Sequence, residues 1–260
     1  MQLLFPHAPL NDRVPDELCE EQFKAFRAAG ATVSLFSFEA LQSGSFLALT
    51  LSSEDVLYRG WMLTKGEYER LSEAAEARGA RMIVSLEQYL GSHHLPNWYP
   101  NIREFTAETV VVDPAQATPT FVKNLGWEGV FIKDFVKSLK TSLGSRITDP
   151  ALLPSVLEEM KRFRGHIEGG LCLRRIEDFK ADSEIRYFVI KGEPFGPLAS
   201  APIPALVRQV AHRIRSPFFA IDVAERQDGV LRVVEIGDGQ VSDLVGWDAR
   251  RFAEIATNRF

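Results

Sequence analysis

The chain has 260 residues, 45% apolar and 25% charged, with a formal charge of −5 and only two cysteines, Cys19 and Cys172. Its length supports one large domain or a few smaller lobes with real cores, and its composition is that of an ordinary globular protein. The acidic balance argues against a nucleic-acid or anionic-membrane surface. The cysteines are too few and too far apart for a zinc ribbon or a disulfide framework, and no window approaches the length of an apolar membrane span. The opening run MQLLFPHAPLNDR lacks the basic and apolar regions of a signal peptide, so a reducing cytoplasm is the expected compartment.

In roughly the first hundred residues, helix-like and strand-like runs alternate, the pattern of an α/β lobe. Residues 15–29 read as a helix ending at Gly30, with Leu18, Phe23 and Phe26 among its apolar positions. Short strands follow at ATVSLFSF, FLALTL and DVLYRG. Thr64 and Glu67 have capping-box spacing and open a helix carrying Tyr68 and Leu71, which stops at Gly79. ARMIVSL then reads as a buried strand. Residues 91–119, with Pro96, Pro100 and Pro114, show little periodicity and read as a crossing between lobes, closed by Thr118-Pro119 at the start of a short helix. Residues 129–135 read as a strand entering the polar loop VKSLKTSLGSR. Asp149-Pro150 starts a helix whose Leu153, Val156, Leu157, Met160 and Phe163 share one face before Gly165. The strands LCLRRI and EIRYFVI come next, then a turn at Lys191-Gly192-Glu193, a helix over residues 204–215, an acidic hairpin and a final helix from Asp248.

That hairpin, FFAIDVAERQDGVLRVVEIGDGQVSDL, carries the strongest chemical signal. Asp228-Gly229 reads as a two-residue turn that sets Gln227 against Val230 and, counting outward, Asp222 against Glu235. Like charges in a cross-strand pair repel. Both carboxylates also interrupt runs that read as buried, where acids are rare unless paired or metal-bound. A divalent cation reverses the sign of the repulsion, and Mg²⁺ usually arrives with phosphates. An ion pair with an arginine such as Arg186 is the structural alternative. Asp238, between Gly237 and Gly239, reads as a third ligand or as a turn former.

Lys133 sits among Phe131, Ile132 and Phe135, where an ammonium group needs a partner. With Lys137 and Lys140 in the following loop it can line a polyphosphate, although lysines in such turns are commonly just solvated. Glu184 and Arg186, two apart on a strand, share a face opposite Ile185, Tyr187 and Val189. They read equally as a weak surface pair or as a ribose acceptor with a phosphate clamp. One of Arg174 and Arg175, on the neighbouring strand, is expected to join that face. His93 and His94 beside Trp98 and Tyr99 read as packing, and Cys172 as a small apolar residue.

In this order the elements resemble the ATP-grasp superfamily of ATP-dependent carboxylate-amine ligases, from about Thr118 to the end. VFIKDF is similar to the strand with the family's first ATP-binding lysine, here Lys133, followed by a phosphate-covering loop with Lys137 and Lys140. LCLRRI, with Arg174, takes the place of the hinge strand that contacts adenine through the backbone, here at Arg175 and Ile176. SEIRYFVIKGE resembles the segment holding the ribose-binding acid and the catalytic arginine, which maps them onto Glu184 and Arg186. The hairpin resembles the metal-binding D…E-x-N signature, giving Asp222 and Glu235. The asparagine position is Gly237, so either Asp238 substitutes after a one-residue shift or two carboxylates hold the metal.

The paired arginines and the E-x-G-D ending resemble a divergent branch named for two arginines and a lysine, to whose amino-terminal lobe YRGWML and HHLPNWYP are also similar. The resemblance implies an α/β (α+β) ATP-grasp fold: an amino-terminal α/β substrate lobe over residues 1–117, then an ATP-grasp domain over 118–260. Its lysine-bearing (118–176) and metal-binding (177–260) subdomains would clamp ATP between antiparallel sheets. The resemblance further implies ATP and Mg²⁺, or Mn²⁺, and ligation of a small-molecule or peptide carboxylate to an amine or thiol through an acylphosphate. Arg59 is the candidate substrate anchor. No membrane or nucleic-acid partner is expected, and related folds are often homodimers. A phosphotransferase on the same fold and a non-catalytic nucleotide-binding module are the alternatives.

Overall fold

The computed structural model describes residues 1–136, 138, 144–165 and 167–260, without the side chains of Phe163 and Arg164; Lys137 and Lys140 lie outside the described residues. The chain divides into two compact units. The first comprises Met1–Ser92, Ile185–Ile221 and Gly237–Phe260; the second comprises His93–Glu184 and Asp222–Ile236. The units are therefore assembled from interleaved segments, whereas the sequence reading sets contiguous boundaries after residues 117 and 176.

In the first unit, β1 (Gln2–Ala8) pairs in parallel with β3 (Thr32–Phe36) and β4 (Asp55–Tyr58), and antiparallel with β2 (Asn11–Pro15). A short β5 (Arg81–Met82) extends the sheet beyond β4. Parallel strands need crossovers, and the helices Glu20–Ala28 and Lys65–Glu76 supply them. The second helix begins with the expected capping box, Thr64 accepting from Glu67 N–H while the Glu67 carboxylate reaches back. β1 is a strand the sequence reading does not anticipate, because Pro6 interrupts its apolar run; Leu3, Leu4 and Phe5 are nonetheless fully buried. Conversely FLALTL forms no strand, although Leu47 and Leu49 are buried.

The second unit carries an antiparallel sheet in the order β6-β9-β7-β8, formed by β6 (Thr109–Val112), β7 (Val130–Asp134), β8 (Arg146–Ile147) and β9 (Leu171–Arg175). Val122, Ile132, Leu153, Val156, Met160 and Leu173 form its core. The helix Leu153–Arg164 thus buries the predicted face and ends at Gly165. Residues 91–119 are more regular than their prolines suggest. The helices Leu86–His93 and Leu95–Ile102 lie there, with Trp98 and Ile102 buried.

The remaining strands, β10 (Ile185–Ile190), β11 (Glu193–Phe195), β12 (Phe218–Glu225) and β13 (Leu231–Asp238), form a separate sheet in the order β11-β10-β12-β13. β9 and β10 therefore belong to different sheets, and the expectation that Arg174 or Arg175 joins the face of Glu184 and Arg186 does not hold. In the first unit, Phe188 of β10 packs 4.6 Å from Phe252, on the helix Ala249–Arg259, and Phe252 lies 5.8 Å from Phe26. Each such buried aromatic stabilises the fold by about 1.5–3 kcal/mol. The β12–β13 hairpin closes with Arg226 N–H donating to Val230 O and Gly229 N–H to Arg226 O, each 2.9 Å, with Gly229 at φ +85°. This three-residue loop puts Arg226, not Gln227, against Val230, so the count that set Asp222 opposite Glu235 loses its starting point. Among the described residues no helix is long and apolar enough to cross a membrane.

Candidate active site

In the second unit, strand alternation puts Val130 and Ile132 into the core and turns Phe131 and Lys133 to the opposite face. Lys133 is only 4% exposed, and its Nζ lies 2.5 Å from Oε1 of Glu235 on β13. The partner that a buried ammonium needs is thus one of the two hairpin acids. The Glu235 side chain remains 39% exposed. Asp222, on β12, is 4% exposed. Glu184 is exposed immediately before β10.

Cys172 on β9 pairs with Lys133, so Arg174, two residues on, projects from the same face as Lys133. Its Nη1 donates to Val234 O and its Nη2 to Thr106 Oγ1, each at 2.7 Å, and Thr106 Oγ1 donates to Val233 O at 2.7 Å. Burial lowers the Arg174 pKa, and the charge of Glu235 partly restores it. A cavity of about 260 Å³ opens beside this group, lined by Ala107, Phe131, Arg174, Ile176, Phe179 and Val234 among others. Apolar walls next to an ammonium group and carboxylates suit a flat ring carrying a charged tail. His93 is buried and desolvation drives its imidazole down to about 3, so it is a neutral packing residue at pH 7.

Three further candidates belong to the first unit. Arg186 Nη1 donates to Asp243 O at 2.8 Å, and its carbonyl accepts from Trp247 Nε1 at 2.9 Å. Asp238 is fully buried and accepts from Gln240 N (3.0 Å), Gln240 Nε2 (3.1 Å) and Ser92 Oγ (3.0 Å); burial pushes its carboxyl up to about 7. It lies three residues after Glu235, an odd spacing that turns it to the other face of β13. Arg59 is 3% exposed and fully engaged: Nε to Gln22 Oε1 at 2.8 Å, Nη1 to Gly239 O at 2.7 Å and Nη2 to Ser242 O at 2.6 Å. That corrects its expected role, since a guanidinium saturated by its own protein is a structural clamp and not a substrate anchor.

Asp222 and Glu235 are hard oxygen donors of the kind Mg²⁺ selects. Among the described residues no group of three or more His, Cys, Asp or Glu could hold a metal ion. Thr106, Phe131, Phe179 and Val234 are site residues that sequence reading missed. Phe131 was detectable, because it shares the Lys133 face by strand parity; Thr106 lies in a stretch with no periodic signal.

A family model for an ATP-grasp domain, family 3 of the clade named for two arginines and a lysine, matches residues 124–255, just over half of the chain. The chain belongs to this ATP-grasp family. Its family and branch are those expected from the sequence. No curated protein matches it in sequence. Among solved structures this ATP-grasp chain is similar to the D-alanine-D-alanine ligase from Coxiella burnetii, at 11% identity and TM-score 0.66, covering 100% of this chain and 93% of that one. It is also similar to D-cycloserine synthetase DcsG, at 16% identity and TM-score 0.60, covering 100% and 99%. A third is the ATP-grasp ligase PsnB complexed with minimal precursor, at 11% identity and TM-score 0.61, covering 100% and 98%. At these identities the likeness establishes the ATP-grasp fold.

Proposed function

We propose that this protein is an ATP-dependent ligase that joins a carboxylate to an amine or thiol through an acylphosphate, releasing ADP and phosphate. The observation that carries the reading is Lys133, a buried ammonium paired to a hairpin carboxylate beside an apolar cavity, in a chain of the ATP-grasp family. Phe131 and the backbone at Arg175 and Ile176 take the base, and Glu184 takes the ribose. Lys133, with Lys137 and Lys140, neutralises the phosphates. Asp222 and Glu235 hold the metal. Mg²⁺, when bound, shields the phosphate charge that develops during transfer.

The acceptor carboxylate attacks the γ-phosphorus, and the incoming nucleophile then displaces phosphate from the acylphosphate. Arg186 stabilises the oxyanion of the tetrahedral intermediate. No protein nucleophile is required, because positioning and charge neutralisation carry the reaction. PsnB and the macrocyclase MdnC are solved with precursor peptides, and DcsG is a D-cycloserine synthetase. Peptide and small-molecule carboxylates are therefore the acceptors to screen. Mass spectrometry of products from ATP with paired carboxylates and amines tests the proposal: an amide formed with stoichiometric ADP is expected. A stable phosphate ester assigns a phosphotransferase instead, and nucleotide binding with no ADP from any mixture leaves a non-catalytic module.

A further inference from the structure

We infer that Arg174 is a positioning residue for the carboxylate of Glu235 and not a contact to the nucleotide; the inference rests on the function proposed above. On one face of the second unit's sheet, the Lys133 and Arg174 side chains hold consecutive residues of β13. Arg174 takes the carbonyl of Val234, and Lys133 takes the carboxylate of Glu235. The second arm of the guanidinium reaches Thr106 Oγ1, whose own hydroxyl proton goes to Val233 O. Thr106 also pairs with Val233 in a parallel bridge. Two successive carbonyls of β13, those directly ahead of Glu235, are therefore fixed from the side by one arginine and one threonine.

The donors of Arg174 point at protein acceptors, only 7% of the residue is exposed, and its Nε is sealed from solvent without a hydrogen-bond partner. Little of the guanidinium is left to meet a ligand, while its carbon stem helps line the 260 Å³ cavity. A planar fork suits this task where an ammonium does not, because the two acceptors lie along two fixed directions. Backbone fixation matters for a metal ligand: a carboxylate that must reach a small octahedral cation tolerates little displacement, and groups that orient ligands without touching the metal typically change its affinity by about 10–100-fold.

The test is ADP binding by calorimetry, in EDTA and across a Mg²⁺ titration, for wild type, Arg174→Lys and Thr106→Val. Metal-free ADP affinity should stay within about twofold of wild type in both variants. The Mg²⁺ concentration for half-maximal tightening should rise by about 10–100-fold in Arg174→Lys, and in the same direction but less in Thr106→Val. Arg174→Lys leaves a buried acceptor short of a donor and can fail to fold; Thr106→Val keeps the arginine and then decides alone. A fall in metal-free affinity that matches the fall with metal shows a direct nucleotide contact and overturns the inference. So does an unchanged Mg²⁺ dependence, which reduces Arg174 to sheet support. A wild type that binds no nucleotide overturns the functional reading, and this inference with it.

Discussion

Asp238→Asn should flatten the pH dependence of folding stability while sparing metal-dependent nucleotide binding. Asp238 is sealed in the first unit, and burial outweighs its three hydrogen bonds to lift the carboxyl from 3.8 to about 7. A raised acid keeps in the folded state a proton that the unfolded chain has already lost. Its contribution to stability is therefore complete below pH 3.8 and disappears as pH climbs to about 7. A span of roughly 3 pH units at about 1.4 kcal/mol each makes the change about 4 kcal/mol. Asparagine cannot ionise and retains one acceptor oxygen for the Gln240 amide. Urea denaturation of both proteins from pH 4.5 to 8.5 should show the wild type losing stability relative to the variant, by up to about 4 kcal/mol, with most of the change complete by pH 7. Parallel curves would falsify the assignment of a buried, proton-retaining carboxyl. Loss of Mg²⁺-dependent ADP binding in the same variant would return Asp238 to the metal, against the strand parity that turns it away from Glu235.

Arg186→Ala should abolish amide formation, by about 10²–10³ or more in kcat, with ADP affinity little changed; loss of affinity in step with activity removes its assigned role. Gly237→Asn does not simply restore the family's asparagine, because a Cβ there comes 2.8 Å from Ser242 Oγ. It should cost about 1–3 kcal/mol of stability, most of it recovered by adding Ser242→Gly, and an undiminished melting temperature in the single variant contradicts the clash. Phe252→Ala should cost about 3–5 kcal/mol, since that ring touches Phe26, Phe188 and Trp247; a cost under about 1 kcal/mol in urea means the core is packed differently.

Local rules made part of this fold legible. Thr64 and Glu67 announce a helix start because both partners of the capping box lie within one turn, and the apolar face of Leu153–Arg164 repeats with the helical period. Lys133 advertises its need for a partner, but Glu235 is 102 positions away and only the fold brings the two together. The hairpin turn was visible at Asp228-Gly229. Whether two or three residues close it depends on the Arg226 and Gly229 hydrogen bonds, and a one-residue slip re-pairs every residue beyond. β1 was hidden by Pro6. LCLRRI and EIRYFVI follow each other in sequence yet enter different sheets, which neighbouring runs of apolar residues do not reveal. The parity that separates Asp238 from Glu235 was available in the sequence from the start.

The most direct measurement is thermal unfolding with ATP, ADP and a non-hydrolysable ATP analogue, with and without Mg²⁺, for wild type and Asp222→Asn. A nucleotide bound at 100 times its Kd stabilises the folded state by about 2.7 kcal/mol. The account predicts a Mg²⁺-dependent rise in Tm for wild type that Asp222→Asn loses. No shift with any nucleotide in wild type, or an equal metal-dependent shift in both proteins, contradicts the assignment of the hairpin carboxylates to the metal of a nucleotide site.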